Sequence, residues 1–112
     1  MITKLDALQI ALSRFTEIYY KATINHLRVF LYIAARPEQI VNTRDLPDAL
    51  QMPQTTISRT VRSMAEKSYI HEKGFGLLRL SIDPEDERQR IVELTTSGKK
   101  LVLQLTAAMD DK

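Results

Sequence analysis

Two prolines, Pro47 and Pro53, limit how this chain can fold more than any other residues do. Proline has no N–H to give to a helix, and its ring clashes with the preceding turn, so it is tolerated in a first turn and expelled from an interior. Pro47 therefore belongs near the start of one helix, TRDLPDALQM, for which Thr43 is the expected N-cap. Pro53 belongs at or near the first position of the next, PQTTISRTVRSMAEKSYI. Leu50–Met52 is left as the turn between them, with Ala49 as the small residue expected to let the helices cross closely.

The rest of the chain arranges itself around that pair. Leu5, Leu8, Leu12, Phe15 and Tyr19 recur at helical spacing, and Ala7, Ile10, Ala11 and Ile18 widen the stripe. A second helix opens near Thr23, turns Leu27, Phe30, Leu31 and Ala34 inward, and ends ahead of Pro37. KGFG at 73–76 is punctuation, after which LLRLSI and RIVEL flank DPEDERQR as the strands of a hairpin. Two strands do not make a stable sheet alone, so the hairpin must lean on the helices, with a third short strand expected around Val41. TTSGKKLVLQLTAAM closes the chain as a helix with Leu101, Leu105, Ala108 and Met109 on one face. The order is four helices, a hairpin and a helix: a mainly α fold with a small β-hairpin wing, the winged helix-turn-helix. At 112 residues it is one domain with one core.

Composition removes whole classes of function. A chain 44% hydrophobic and 27% charged is globular, not disordered. The apolar run VFLYIAA is far too short for a bilayer, and MITKLDALQI lacks a signal-peptide pattern, so a cytoplasmic protein is expected. Cysteine is absent, which removes disulfides, thiolate metal sites and thiol redox sensing. His26 and His71 lie in no metal or nucleophile motif, Ser58 and Ser63 have no base at readable spacing, and KGFG is no phosphate cradle. No enzyme, metal or cofactor is expected; His26 reads as a cap or interface residue, and His71 as touching phosphate or nothing. The net charge of +2 is compatible with a polyanion partner without demanding one.

The helix after Pro53 carries the functional signal. Ile57, Val61 and Met64 fall on one face with Thr60 beside them, while Thr55, Ser58, Arg59 and Arg62 fall on the other and Gln54 leads. The outward face has two arginines and no acid between 53 and 65. Guanidinium, hydroxyl and amide groups are the types that reach phosphates and base edges. Such a face in isolation is more often a solvated surface; the preceding helix and short turn shift the reading to a helix-turn-helix.

At this point the run from Thr43 to Leu101 resembles the DNA-binding lobe of the MarR family of bacterial winged-helix regulators. The residues that carry the likeness are the pair of helices, Asp86-Glu87-Arg88 in the wing, and Leu94-Thr95-Thr96-Ser97-Gly98 opening the last helix. Ser68-Tyr69 stands where the family usually has a glycine, the first wing strand around GFGLLRLSI is long, and one modest helix follows the wing before Lys112. The resemblance implies a homodimer with helix 53–68 in successive major grooves and the wings in flanking minor grooves. It divides the chain into dimerisation helices at 1–22 and 95–112 and a DNA-binding lobe at 23–94, with the wing at about 77–94. Leu5, Leu8, Leu12, Phe15, Leu101, Leu105 and Met109 are the expected dimer contacts.

The resemblance also makes Arg88 the wing arginine in the minor groove and Asp86 the carboxylate that holds it. Ordering a free arginine costs roughly 1–2 kcal/mol. A carboxylate two residues away, expected to grip the guanidinium at two points, lowers that cost before DNA arrives. Asp83-Pro84 supplies turn chemistry. Glu85 and Glu87 either repel phosphate or keep the hairpin soluble, while Arg79 and Arg90 contact phosphate or offset those acids. The expected function is sequence-specific binding of double-stranded DNA by a dimeric bacterial (or phage- or plasmid-type) repressor on a palindromic operator, through Gln54, Thr55, Ser58, Arg59, Arg62, Arg88 and Arg90. The alternative is a protein–protein adaptor, since winged helices serve both ends. An aromatic effector lined by Phe15, Tyr19, Tyr20, Phe30 and Tyr32 ranks below core or dimer packing for those rings.

Overall fold

The computed structural model describes residues 3–18, 21–65 and 75–110. Helix α1 spans Lys4–Ile18 and α2 Ile24–Ala34. Strand β1, Ile40–Asn42, leads through a 3-10 turn at Thr43–Asp45 into α3, Leu46–Leu50, and α4, Gln54–Met64. Strands β2, Leu78–Asp83, and β3, Asp86–Leu94, form the hairpin, and α5 runs over Thr96–Met109. The strand expected around Val41 is present: β1 pairs antiparallel with β3, Val41 opposite Val92, and the sheet order is β1-β3-β2. The hairpin turn is tighter than the acidic stretch suggested. Only Pro84 and Glu85 lie between the strands, and Asp86 already opens β3.

The core joins both helical pairs to the sheet. Val29, Phe30 and Ile33 of α2, Leu46 and Leu50 of α3, and Ile57, Val61 and Met64 of α4 close over Leu78, Val92 and Leu94, with Leu101 and Leu105 of α5 completing it. Phe15 and Phe30 meet edge to face, their ring centroids 5.5 Å apart. That contact makes these two rings core and removes them from any effector pocket. Tyr32 is half-buried with Arg36 stacked over it, and Tyr19, Tyr20 and His71 lie outside the described residues.

On α1 the inward stripe differs from expectation. Ala7, Ala11 and Phe15, four residues apart, are buried against the fold, whereas Leu5 is 79% exposed and Leu8 46%. α1 packs on α5, and the two alanines are among its buried residues. The larger leucines are displaced to the rim.

A single residue joins three elements. Leu77 donates its N–H to the Met64 carbonyl at the end of α4, and its carbonyl accepts from Thr95 N–H at the start of α5. A Cβ on Gly98 would run into that same Leu77 carbonyl oxygen, so only glycine fits in the first turn of α5. Thr95 caps the helix by accepting from Gly98 N–H, and its hydroxyl donates to the Gly76 carbonyl.

Candidate nucleic-acid interface

The helix-turn-helix is built by a cap, a left-handed residue and a proline. The cap is Asn42, whose Oδ1 accepts from Arg44 N–H at 3.0 Å. Thr43, the expected cap, is instead buried, its hydroxyl donating to Gln89 Oε1 and accepting from Arg90 N–H. Both residue types suit the cap; Thr43 is taken by β3. Gln51 ends α3 with φ 57°, and Met52 N–H reaches back to the Pro47 carbonyl. Arg28 of α2 donates to the Leu50 carbonyl at 2.7 Å, satisfying an otherwise orphaned helix-end acceptor. Ala49 is exposed, so it is not the small buried residue expected between the helices; Leu46, Leu50 and Ile57 are the buried residues of α3 and α4 there.

Pro53 then stands at the N-cap of α4, in extended geometry. Ile57, Thr60, Val61 and Met64 are buried; Gln54, Thr55, Arg59 and Arg62 are exposed, and Ser58 is half-buried. Gln54 Nε2 leans on Ser58 Oγ at 3.4 Å, which restrains the amide at the leading edge. The helix stops earlier than the expected 53–68, because Ala65 turns extended and bridges to Leu78. Residues 66–68 and Ser68-Tyr69 lie outside the described residues.

His26 does act as a cap. Its Nδ1 accepts from Thr23 N–H at 2.9 Å while Thr23 Oγ1 accepts from His26 N–H, a reciprocal box. With Nδ1 accepting, the proton sits on Nε2, which donates to Ser63 Oγ at 2.7 Å. Ser63 in turn donates to the Thr60 carbonyl. The serine proton therefore points away from the imidazole, the reverse of what nucleophile activation requires. Burial pushes the His26 pKa below its ordinary value, and the Phe75 ring lies 4.8 Å from its own. The pair ties the start of α2 to the last turn of α4.

In the wing, Asp86 Oδ1 accepts from both Nε and the backbone N–H of Arg88, at 3.2 and 3.1 Å. The expected two-point grip on the guanidinium is thus a single Nε contact backed by the main chain. The Arg88 hydrogen bonds hold the Asp86 carboxyl below the usual carboxylate range, with the charges of Arg88 and Arg44 adding to the effect. Arg88 itself stays 88% exposed, its terminal amino groups outside that contact. Arg90 folds its guanidinium onto the Glu87 and Gln89 carbonyls, and Arg79 lies 3.9 Å from Glu93. Asp83 is buried, with Oδ1 accepting from Glu85 N–H and Oδ2 from Asn42 Nδ2.

Of the expected dimer contacts, Leu5, Leu8 and Met109 are exposed and Leu12 half-buried, but Phe15, Leu101 and Leu105 belong to the chain's own core. Periodicity identifies an apolar face without saying which neighbour covers it. Leu8, Leu12, Leu27, Leu31 and Met109 line an almost wholly apolar cleft of about 210 Å³. Sequence reasoning missed Arg44, an exposed cation whose charge reaches the wing carboxylate; the sheet that brings β1 beside β3 is what places it there.

These features together define a winged helix-turn-helix protein. No protein-family model and no curated relative matches the sequence, and the likeness lies in solved structures. The S. aureus MepR–DNA complex superposes with a TM-score of 0.72 at 25% identity, over 91% of this chain and 74% of that one. A MepR mutant from a multidrug-resistant S. aureus clinical isolate gives 0.68 at 28% identity, over 97% and 69%. AbsC from Streptomyces coelicolor, a MarR family transcriptional regulator, shares the fold at 0.61 and 15% identity, over 94% and 67%. The chain thus shares the winged-helix fold of these structures, a DNA complex of MepR and a MarR family transcriptional regulator among them. Among the described residues no helix is long and apolar enough to cross a membrane.

Proposed function

We propose that this regulator binds double-stranded DNA sequence-specifically, as a cytoplasmic homodimer that represses by occluding a palindromic operator. The observation that carries the reading is the outer face of α4, where Gln54, Thr55, Arg59 and Arg62 are exposed on a helix without an acidic residue. Gln54, Thr55, Ser58, Arg59 and Arg62 enter the major groove. Arg88, pre-aimed by Asp86, enters an adjacent narrow minor groove whose negative potential favours a single projecting guanidinium. Arg90 braces the wing and reaches phosphate only at its exposed edge. The MepR structure with DNA supports the assignment by likeness. A second copy covers Leu5, Leu8, Leu12 and Met109, placing half-sites about 10 bp apart or a multiple of it.

Selection of bound duplexes from a random pool tests this reading. The expected result is a palindromic consensus whose log affinity falls linearly with log salt, with a slope near −0.9 per phosphate neutralised. Recovery of no duplex, or binding indifferent to salt, would favour the protein–protein adaptor.

A further inference from the structure

Beyond Ile91, where β1 ends its pairing with Asn42 opposite Ile91, the wing continues as a two-stranded ribbon of β2 and β3. An isolated two-stranded ribbon is marginal in water. The part of the wing that bears Asp86 and Arg88 therefore needs a tether outside its own ladder. Asn42 Nδ2 donates to Asp83 Oδ2 at 2.6 Å, across to the residue where β2 meets the turn. The other Asp83 oxygen accepts from Glu85 N–H at 2.9 Å, fixing the turn itself. The other end of the Asn42 amide caps the 3-10 turn that opens the helix-turn-helix, accepting from Arg44 N–H. Both ends of both side chains are thus engaged, and the chain of contacts runs from the base of the reading helices to the wing tip. Asp83 is only 5% exposed, so water competes poorly for its oxygens, while Asn42 beside it is half-buried.

We propose that Asn42 and Asp83 are positioning residues for DNA recognition, a clasp that sets where the wing carries Arg88 relative to α4. The inference rests on the DNA-binding reading above. It implies that losing the clasp lets the ribbon swing, so that Arg88 no longer meets the minor groove when α4 is seated in the major groove.

The substitution N42D keeps an acceptor for Arg44 N–H but sets a carboxylate against Asp83. The exchange N42D/D83N rebuilds all three hydrogen bonds with donor and acceptor reversed between the two positions. Backbone 15N relaxation on the full chain should show order parameters for residues 84–90 falling in N42D and returning in N42D/D83N. On a fixed duplex recovered by the selection, N42D should weaken binding by about tenfold, the scale of one lost base-groove arginine, and the exchange should recover it. In an R88A background, N42D should add nothing further, because its effect passes through Arg88. Should N42D fail to fold, N42S retains a short cap acceptor that cannot reach Asp83 and takes its place. Unchanged relaxation at 84–90, or losses from N42D and R88A that multiply, overturns the clasp. If the wild-type chain binds no duplex, the DNA reading fails on its own and the relaxation comparison still decides whether the tether holds the wing.

Discussion

Thr43 offers the sharpest test of how the wing is attached, because its two possible roles predict opposite outcomes. The residue is 6% exposed, and its hydroxyl accepts from Arg90 N–H at 3.1 Å and donates to Gln89 Oε1 at 3.3 Å. Thr43→Val keeps the shape and removes the hydroxyl, leaving one backbone donor and one amide oxygen without partners. Each unsatisfied buried group costs roughly 1–3 kcal/mol. Gln89 and Arg90 are themselves half-buried, so water recovers part of this, and the net loss should be about 1–2 kcal/mol. Thr43→Ser keeps both hydrogen bonds and loses one buried methyl, for a cost of about 0.8 kcal/mol or less. Thr43→Asn decides the matter. If Thr43 were the helix cap, asparagine would serve equally well or better; as a buried strut to β3 it would have to take a longer amide into a site only 6% exposed, and the loss should match or exceed that of valine. Urea unfolding followed by circular dichroism, with equal m-values across the set, measures all three. A Thr43→Asn protein as stable as wild type, beside a Thr43→Val protein losing under about 0.5 kcal/mol, would refute the strut.

Gly98→Ala should destabilise the fold by about 1–3 kcal/mol, since the new methyl meets the Leu77 backbone and not a yielding side chain; thermal unfolding checks this. His26 should make stability depend on pH. Its folded pKa lies below the ordinary 6.5, so the unfolded chain binds more protons between the two values. The contribution is complete above 6.5 and is lost as pH falls through the lowered folded value. His26→Gln should flatten that part of a pH-stability profile, and an unchanged profile would dismiss the residue. Arg88→Ala should weaken binding to a selected duplex and reduce the salt slope by about one, whereas Asp86→Ala leaves the arginine's charge in place and should cost mainly discrimination between selected and random duplex.

Much of the architecture was legible in the residues that restrict the backbone. Pro37, Pro47 and Pro53 place the helix boundaries to within a residue or two, and the need to support a two-stranded wing pointed to β1 near Val41. The exposed and buried faces of α4 follow directly from its period. What could not be read was the choice between chemically equivalent neighbours. Asn42 and Thr43 are both good caps, and only the approach of β3 decides that one caps while the other braces. Leu5 and Phe15 share a stripe, yet only Phe15 is buried, its ring against Phe30. Ala49 was assigned to a helix crossing and is exposed. The acidic hairpin concealed a division of labour as well: Asp83 is buried and structural, Asp86 faces Arg88, and Glu85 enters through its backbone N–H.

The junction at Leu77 has a bearing on how a signal could travel. Helices α4 and α5 are stitched to the same residue by main-chain atoms, through Met64 on one side and Thr95 on the other. Apart from Gly98, which must stay small beside the Leu77 carbonyl, side-chain changes cannot easily loosen stitches of that kind. If a second copy of the chain tilts α5, as the proposed dimer would allow, the tilt reaches the tail of α4 with little slack, and the give resides in the apolar cleft that α1 and α2 share with α5.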